Sequence, residues 1–182
     1  IWNSWFSVMF SFILADFIQV ESFTRYRRLV NTMGDLRLSC ATVTSQFWSE
    51  LGDKRSSFIP LVIDSILKLF DLRNMDIHKC AVEFYFNVIR FEYQSSKSIQ
   101  VCEDITQRCI LERRVDDVFR HSFIHGLQNL FKTDNSMDSI ATPFISRLKS
   151  MLVDIIKVQQ YDNNEDMKIH AIIQIMESLK ES

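Results

Sequence analysis

The stretch from Asn74 to Tyr93 constrains the fold most, because it carries two opposed apolar stripes when its residues are placed at helical intervals of about 100°. One stripe consists of Ile77, Cys80, Ala81, Phe84, Val88 and Phe91, and the other of Met75, Val82, Phe86, Ile89 and Tyr93. One flank between them is polar, with Asp76, Lys79, Glu83, Asn87 and Arg90. A helix with two apolar faces must be covered on both sides, which predicts a stacked helical array.

Glycine and proline are scarce, with 3 Gly and 2 Pro in 182 residues. A sheet with tight turns, or a nucleotide-binding fold with glycine loops, would need more of them. Gly34 and Gly52 suit the left-handed residue that ends a helix. Caps and breakers predict helices over about 1–20, 22–33, 35–51, 57–72, 74–93, 99–113, 116–132, 142–160 and 165–182.

Two serine or threonine residues are expected to cap helices that begin with proline. Ser57 is predicted to cap one helix, with Pro60 in its first turn, where the missing N–H is harmless. Thr142 and Pro143 predict the same arrangement for the helix over 142–160. That helix has one apolar stripe, formed by Phe144, Leu148, Met151, Leu152 and Ile155.

Polar links near residues 53, 95 and 134 lie about 40 residues apart, which is the spacing of HEAT or armadillo helix pairs. We therefore predict an all-α solenoid of stacked antiparallel helix pairs, with eight or nine helices in a single segment over 1–182. The chain starts at Ile1 and both terminal helices are broadly apolar, so we expect a fragment of a larger multidomain protein whose other parts cover those helices.

The apolar run over 1–20 resembles neither a signal peptide nor a membrane span. It has no basic leader and no small-residue cleavage site. Polar residues interrupt it too often for a bilayer-crossing helix, namely Asn3, Ser4, Ser7, Ser11, Asp16 and Gln19. A helix buried on most sides is the better explanation, and we expect no transmembrane segment.

The sequence contains no recognisable catalytic or cofactor-binding motif. A net charge of −2 argues against nucleic-acid binding, and no phosphate-binding glycine loop is present. The four cysteines form no CxxC pair, which favours buried thiols in a reducing compartment. His78 and Cys80 are two positions apart and point to different faces of a helix.

Two local clusters leave alternatives open. His121 and His125 have the i, i+4 spacing of a metal pair, but no third ligand stands in register, so ordinary helix histidines are the simpler interpretation. Arg25, Arg27 and Arg28 form the one compact basic cluster, which is either a solvated helix face or a surface for an anionic partner or lipid headgroup.

Several blocks of residues resemble the Dock family of exchange factors, in its ELMO-binding subfamily. The blocks lie in the same order as in that family and are densest over 1–93. They are Ile1–Ser7, Gly34–Arg37, Trp48 with Leu51 and Gly52, Phe58–Pro60 with Val62 and Ile66–Leu67, Ala81–Phe86, Phe91–Tyr93, and Met167–Lys180. The match is poor over 95–140. The matching residues are core and turn residues, so they indicate a segment of the fold and not a site.

The resemblance implies the final part of an armadillo-like array, just upstream of the catalytic region that acts on Rac-type GTPases. The implied partners are the GTPase, through that downstream region, an ELMO-type protein, and neighbouring parts of the same protein. The implied location is the cytoplasm, with recruitment to the plasma membrane. No catalytic residue would lie in this segment, which would act as a rigid spacer.

Two alternatives belong to other functional classes. An independent armadillo or HEAT adaptor with unrelated cargo would share the stacked helices but not the exchange-factor context. A zinc-dependent helical enzyme would have to use His121 and His125.

Overall fold

The computed structural model describes residues 1–15, 24–25, 27–28, 30, 34–72, 74–113 and 115–160, apart from the side chains of residues 135 and 157–160. All regular structure in these ranges is helical, which confirms the all-α prediction. The seven α-helices described are α1 (Trp2–Leu14), α2 (Leu36–Glu50), α3 (Ile59–Lys68), α4 (Met75–Ser96), α5 (Gln100–Leu111), α6 (Asp117–Thr133) and α7 (Asp138–Gln160). Short 3-10 segments lie at Gly52–Phe58, Leu69–Asp71 and Asn135–Met137.

The chain forms two compact units, Ile1–Ile105 and Thr106–Ser182. Within the first unit, α1 packs on α2 and α3, and both α2 and α3 pack on α4. Within the second unit, α6 packs on α7. The helices α1 to α4, and likewise α6 and α7, each pack on a helix one or two places away in the chain, as expected of a solenoid-like arrangement. A single segment over 1–182 stays a prediction.

Trp48 lies at the centre of the first unit's core. Its side chain is fully buried, and its ring centroid lies 6.5 Å from Phe6, 6.1 Å from Phe84 and 6.0 Å from Phe91. Phe10 stacks on Phe84 at 6.3 Å. Each such pair contributes about 0.5–1.5 kcal/mol beyond the burial of its area. The rings therefore tie α1, α2 and α4 into one core.

Helix α4 has the two covered faces that its sequence predicts. Phe84 and Val88 are buried on one stripe, while Val82 and Ile89 are buried on the other. Asp76, Lys79 and Glu83 on the polar flank are exposed. The helix continues to Ser96, three residues past the predicted end at Tyr93. The side chains of Ser95 and Ser96 support this extra turn by donating to backbone carbonyls one turn earlier, and Lys97 ends it with φ of 58°.

Helix α1 is shorter than predicted. It ends at Leu14 instead of near residue 20, and Ala15 is extended. The buried residues of α1 are Phe6, Phe10 and Ile13, which lie on one stripe of the helix. Of the predicted helix over 22–33, the described residues 24–25, 27–28 and 30 are helical. The predicted helix over 165–182 lies outside the described residues.

The predictions that Ser57 and Thr142 cap helices are both wrong. Phe58 occupies the N-cap of α3 without a side-chain bond, because a 3-10 segment leads directly into the helix and replaces the cap of Ser57. Pro60 does lie in the first turn. Helix α7 begins at Asp138, before Thr142, so that Pro143 lies inside the helix, where it removes one backbone donor. Fully buried Met137 anchors this earlier start.

Candidate interaction surfaces

One carboxylate side chain and one amide side chain together link the starts of α2 and α4. Gly34 has φ of 73°, and Asp35 then caps α2 through Oδ1, which accepts from the N–H of Arg37 at 3.0 Å and of Leu38 at 3.3 Å. The other Asp35 oxygen accepts from Asn74 Nδ2 at 2.9 Å. The Asn74 oxygen in turn caps α4, at 3.0 and 3.2 Å from two backbone nitrogens. The Gly34–Arg37 block thereby fixes the orientation of α2 against α4.

A buried glutamate holds the start of α5. Glu92 lies on α4, and its Oε1 and Oε2 accept from the N–H groups of Val101 and Cys102, each at 2.9 Å. The side chain is 6% exposed. A carboxylate at a helix N-terminus satisfies free backbone donors and the positive end of the helix dipole. Sequence reasoning missed this role, although an acid between the apolar residues Phe91 and Tyr93 was a signal for it.

An exposed apolar surface runs along the contact between α1 and α2; we call it the α1–α2 apolar surface. Its members recur at helical intervals on both helices. Val8, Phe12, Leu36 and Val43 are exposed, and Trp5 and Phe47 are half-buried. Val8 is 66% exposed, Leu36 50% and Val43 48%. The predicted apolar character of the first helix is therefore present on its solvent-facing side as well as in the core.

Side-chain contacts hold this surface in place. The rings of Trp5 and Phe47 lie 4.4 Å apart, and Trp2 lies 5.2 Å from Phe47. Cys40 Sγ lies 3.8 Å from the carbonyl oxygen of Met9. The buried residues of α1 and α2 are different residues on different faces of these helices, so the surface is additional to the core. In a stacked array, such a face is where a further helix pair packs.

The basic cluster is accessible to a partner. Arg25, Arg27 and Arg28 lie in helical backbone and are exposed. Exposed guanidinium groups suit carboxylates or phosphates, which they bind through two parallel hydrogen bonds. The role of these residues toward a partner or a lipid stays a prediction.

His121 and His125 lie together on the exposed side of α6, with ring centroids 5.4 Å apart. His125 Nδ1 lies 3.2 Å from Asn129 Nδ2. In the described part of the chain, no three His, Cys, Asp or Glu residues are grouped as a metal site requires. The pair therefore lacks a ligand set among those residues.

The thiols are poorly placed for nucleophilic chemistry. None of the four cysteines forms a disulfide, and burial raises the pKa of Cys40, Cys80 and Cys102. Thiols with raised pKa values form little thiolate, which is the reactive species. His78 and Cys80 are two positions apart on α4 and project from different faces of the helix. The Nε2 of His78 donates to the carbonyl oxygen of Leu72 at 2.6 Å.

Among the helices described, none is both long and apolar enough to cross a bilayer. The most apolar one, α1, has 13 residues. Its apolar residues are instead divided between the core and the α1–α2 apolar surface.

Comparison with known proteins places the chain in a family. Residues 1–123 match the model of the "Dedicator of cytokinesis (DOCK) TPR region". The chain is similar to human dedicator of cytokinesis protein 4, with 22% identity over 99% of this chain and 10% of that protein. It is also similar to human dedicator of cytokinesis protein 3, with 20% identity over 99% of this chain and 10% of that protein. No solved structure matches.

The chain thus spans about a tenth of the length of these two relatives. TPR, HEAT and armadillo repeats are all stacked helix pairs, so the family's description agrees with the solenoid-like packing. The match contains both the Gly34–Arg37 block and the Trp48 core. Since it covers more than half of the 182 residues, the chain belongs to the DOCK TPR-region family.

Proposed function

We propose that this chain is a non-catalytic helical scaffold segment of a Dock-type exchange factor for Rac-type small GTPases. It positions the catalytic region of the parent protein relative to the parts that bind membrane and partners. The observation that carries the proposal is the match of residues 1–123 to the DOCK TPR region. The scarcity of reactive groups among the described residues supports a structural role.

The packing of the first unit supports the rigidity that a spacer needs. Helix α4 is buried on two faces, and its start is joined to that of α2 through Asp35 and Asn74. The start of α5 is held on α4 by Glu92. Bending the unit would break these buried polar contacts, each of which contributes about 1–3 kcal/mol.

The α1–α2 apolar surface is the proposed contact for a neighbouring part of the same protein. A patch of this kind is unfavourable in water and marks an interaction site. Arg25, Arg27 and Arg28 are a second proposed contact, toward a lipid headgroup or an acidic partner. Through its other regions the parent would bind the GTPase and an ELMO-type partner, and it would act in the cytoplasm and at the plasma membrane.

Nucleotide exchange tests the proposal. Rac exchange by the parent's catalytic region is measured with and without this segment, in solution and on liposomes containing anionic lipid. A spacer should raise exchange on liposomes and leave exchange in solution unchanged. Suppression in both settings would show an inhibitory surface instead, and no effect in either setting would contradict the scaffold role.

Charge substitutions on the surface refine the test. Val8→Glu should reduce the liposome-dependent part of exchange several-fold, because a carboxylate cannot be buried against an apolar neighbour. Val118→Glu is the matched control, since Val118 is a similarly exposed valine, 55% against 66%, in the other unit. Equal effects of the two variants would contradict a specific role for the α1–α2 apolar surface.

A further inference from the structure

Two adjoining cavities form one groove along α6 and α7 in the second unit. Their volumes are about 480 and 290 Å³, and both are lined by Gln128 on α6 and Lys149 on α7. We call them together the α6–α7 groove. On α6 the lining runs from Arg120 to Lys132, which corresponds to a length of about 18 Å at the helical rise per residue. This length equals about three turns of a bound helix.

Apolar side chains line both cavities of the groove, beside polar ones such as Gln128 and Ser146. Phe131, Ala141 and Ile145 line the larger cavity, while Ile124 and Val153 line the smaller one. Side chains at these positions alternate between the two helices, so that a bound segment would meet apolar contacts on both sides. An apolar floor at helical spacing is typical of grooves that take the apolar face of an amphipathic helix.

The rims of the groove are basic, although the whole chain has a net charge of −2. The charged lining residues are Arg120, Lys132 and Lys149 against the single carboxylate of Asp138, a difference of 3 − 1 = +2. Arg120 is paired with Asp117 at 2.9 Å, which leaves Lys132 and Lys149 against Asp138, an excess of one positive charge. The two lysines stand one on each helix and both line the larger cavity.

We propose that the α6–α7 groove binds an amphipathic helical segment of a partner protein, with apolar residues on one face and acidic residues along its edges. The apolar face fills the floor, and the acidic residues meet Lys132 and Lys149. A membrane surface suits the site less well, because Ile124, Phe131 and Ile145 are buried in the groove and cannot insert among lipid chains. Most of the groove lies beyond residues 1–123, so the proposal does not rest on the exchange-factor role.

Fluorescence anisotropy with the full chain tests the proposal. The probe is a labelled three-turn peptide of leucines at i, i+3, i+4 and i+7, flanked by glutamates. The reference peptides are the same sequence with lysine in place of glutamate, and a scrambled peptide of equal composition. We expect the acidic amphipathic peptide to bind at least about tenfold more tightly than either reference. Equal binding of the three peptides would overturn the proposal.

Substitutions in the α6–α7 groove test whether the peptide binds there. Charge reversal in the double variant Lys132→Glu, Lys149→Glu should weaken binding of the acidic peptide at least about tenfold, and Ala141→Trp should do so by filling the floor without changing charge. Lys54→Glu in the first unit is the charge control and should change binding less than about twofold. Circular dichroism establishes that each variant is folded.

Two further readouts decide the site and the class of ligand. A photo-crosslinking residue in the peptide should label residues within 120–153; labelling of the α1–α2 apolar surface instead would overturn the proposal. Vesicles of phosphatidylserine are the membrane probe. Vesicle binding that is lost in the lysine double variant while peptide binding is kept would replace the partner helix with a lipid surface.

Discussion

The two compact units bury their aromatic residues in different ways. In the first unit, Trp48 contacts three other rings, so that α1, α2 and α4 share one connected network. In the second unit Phe119 packs against Phe123 on the same helix, and Phe131 of α6 packs against Phe144 of α7. A change at the centre of a network reaches several helices, whereas a change at a contact between two helices acts mainly on those two.

The units also differ in how their helices are covered. Helix α4 of the first unit is buried on two opposed faces, while α7 of the second unit has one buried stripe. The uncovered side of α7 leaves room for the α6–α7 groove. Two-sided burial gives rigidity and leaves little free surface on α4, whereas one-sided burial leaves surface for recognition.

We expect the largest effect on stability from a substitution at the centre of the aromatic network in the first unit. Trp48→Ala should lower the free energy of unfolding by about 4–5 kcal/mol, because it removes a fully buried ring and its three ring contacts. Phe144→Ala in the second unit should cost about 3 kcal/mol, since that ring is equally buried but has one ring partner. Urea unfolding measures both changes.

Hydrogen exchange then tests how far each change spreads. Trp48→Ala should accelerate exchange in α1, α2 and α4, and Phe144→Ala only in α6 and α7. Trp48→Phe is the control that keeps a ring, and it should cost less than half as much as Trp48→Ala. If the two alanine variants were equal in both size and spread, the contrast between network and pair would be wrong.

Removing the cap of α5 or the cap of α6 should change stability by an intermediate amount, and the two changes should differ. Glu92→Ala should lower the free energy of unfolding by about 2–3 kcal/mol, because two backbone donors lose a buried carboxylate. Asp116 caps α6 with one bond of 2.7 Å to the N–H of Phe119 and is exposed, so Asp116→Ala should cost about 1 kcal/mol. Denaturant titration of both variants measures the difference, and a larger loss for Asp116→Ala would contradict it.

The buried thiol of Cys102 should give a pH-dependent effect of about 1.4 kcal/mol. Burial, and then the neighbouring carboxylate of Glu92, raises the pKa of Cys102. The thiol therefore stays protonated in the folded chain, while in the unfolded chain it ionises above about pH 8.5. Its contribution to stability is complete below that pH and falls by about 1.4 kcal/mol per pH unit above it.

Unfolding measured between pH 8 and 9.5 tests this expectation. Over this pH range the free energy of unfolding should fall by about 1.4 kcal/mol less in Cys102→Ala than in the unchanged protein, whatever the absolute stability of the variant. An unchanged slope would show that Cys102 ionises as readily in the folded chain as in the unfolded one.

The smallest expected effect is the coupling between the two joined caps. Asp35→Ala and Asn74→Ala should each cost about 1 kcal/mol, and a double-mutant cycle should give a coupling of about 0.5–1 kcal/mol. The exposed pair of Asp64 and Lys68 is the reference, with an expected coupling of about 0.3–0.5 kcal/mol. Zero coupling between Asp35 and Asn74 would remove the proposed link between α2 and α4.

Local signals explain which parts of the fold were predictable. The opposed stripes of α4, the left-handed glycines at 34 and 52, and the single stripe of α7 are patterns within one helix. They follow from helical periodicity and from the backbone freedom of glycine, which depend on neighbours in sequence. The Dock resemblance was predictable for the same reason, because it rests on core and turn residues of these helices.

Other features depended on contacts between distant residues. The early end of α1 and the early start of α7 lie beside the buried side chains of Ile13 and Met137, which pack on other parts of the chain. The surfaces arise the same way, because the α1–α2 apolar surface and the α6–α7 groove each need two helices packed side by side.

By itself, the sequence determined that this protein is all-α and built of packed neighbouring helices, because periodicity and composition already restrict each helix. Only the tertiary structure decided that Glu92 caps α5, that Asp35 reaches Asn74, and that Lys132 and Lys149 line one groove. These pairs of residues lie 10, 39 and 17 positions apart, and no local pattern specifies which distant residue a polar side chain will meet.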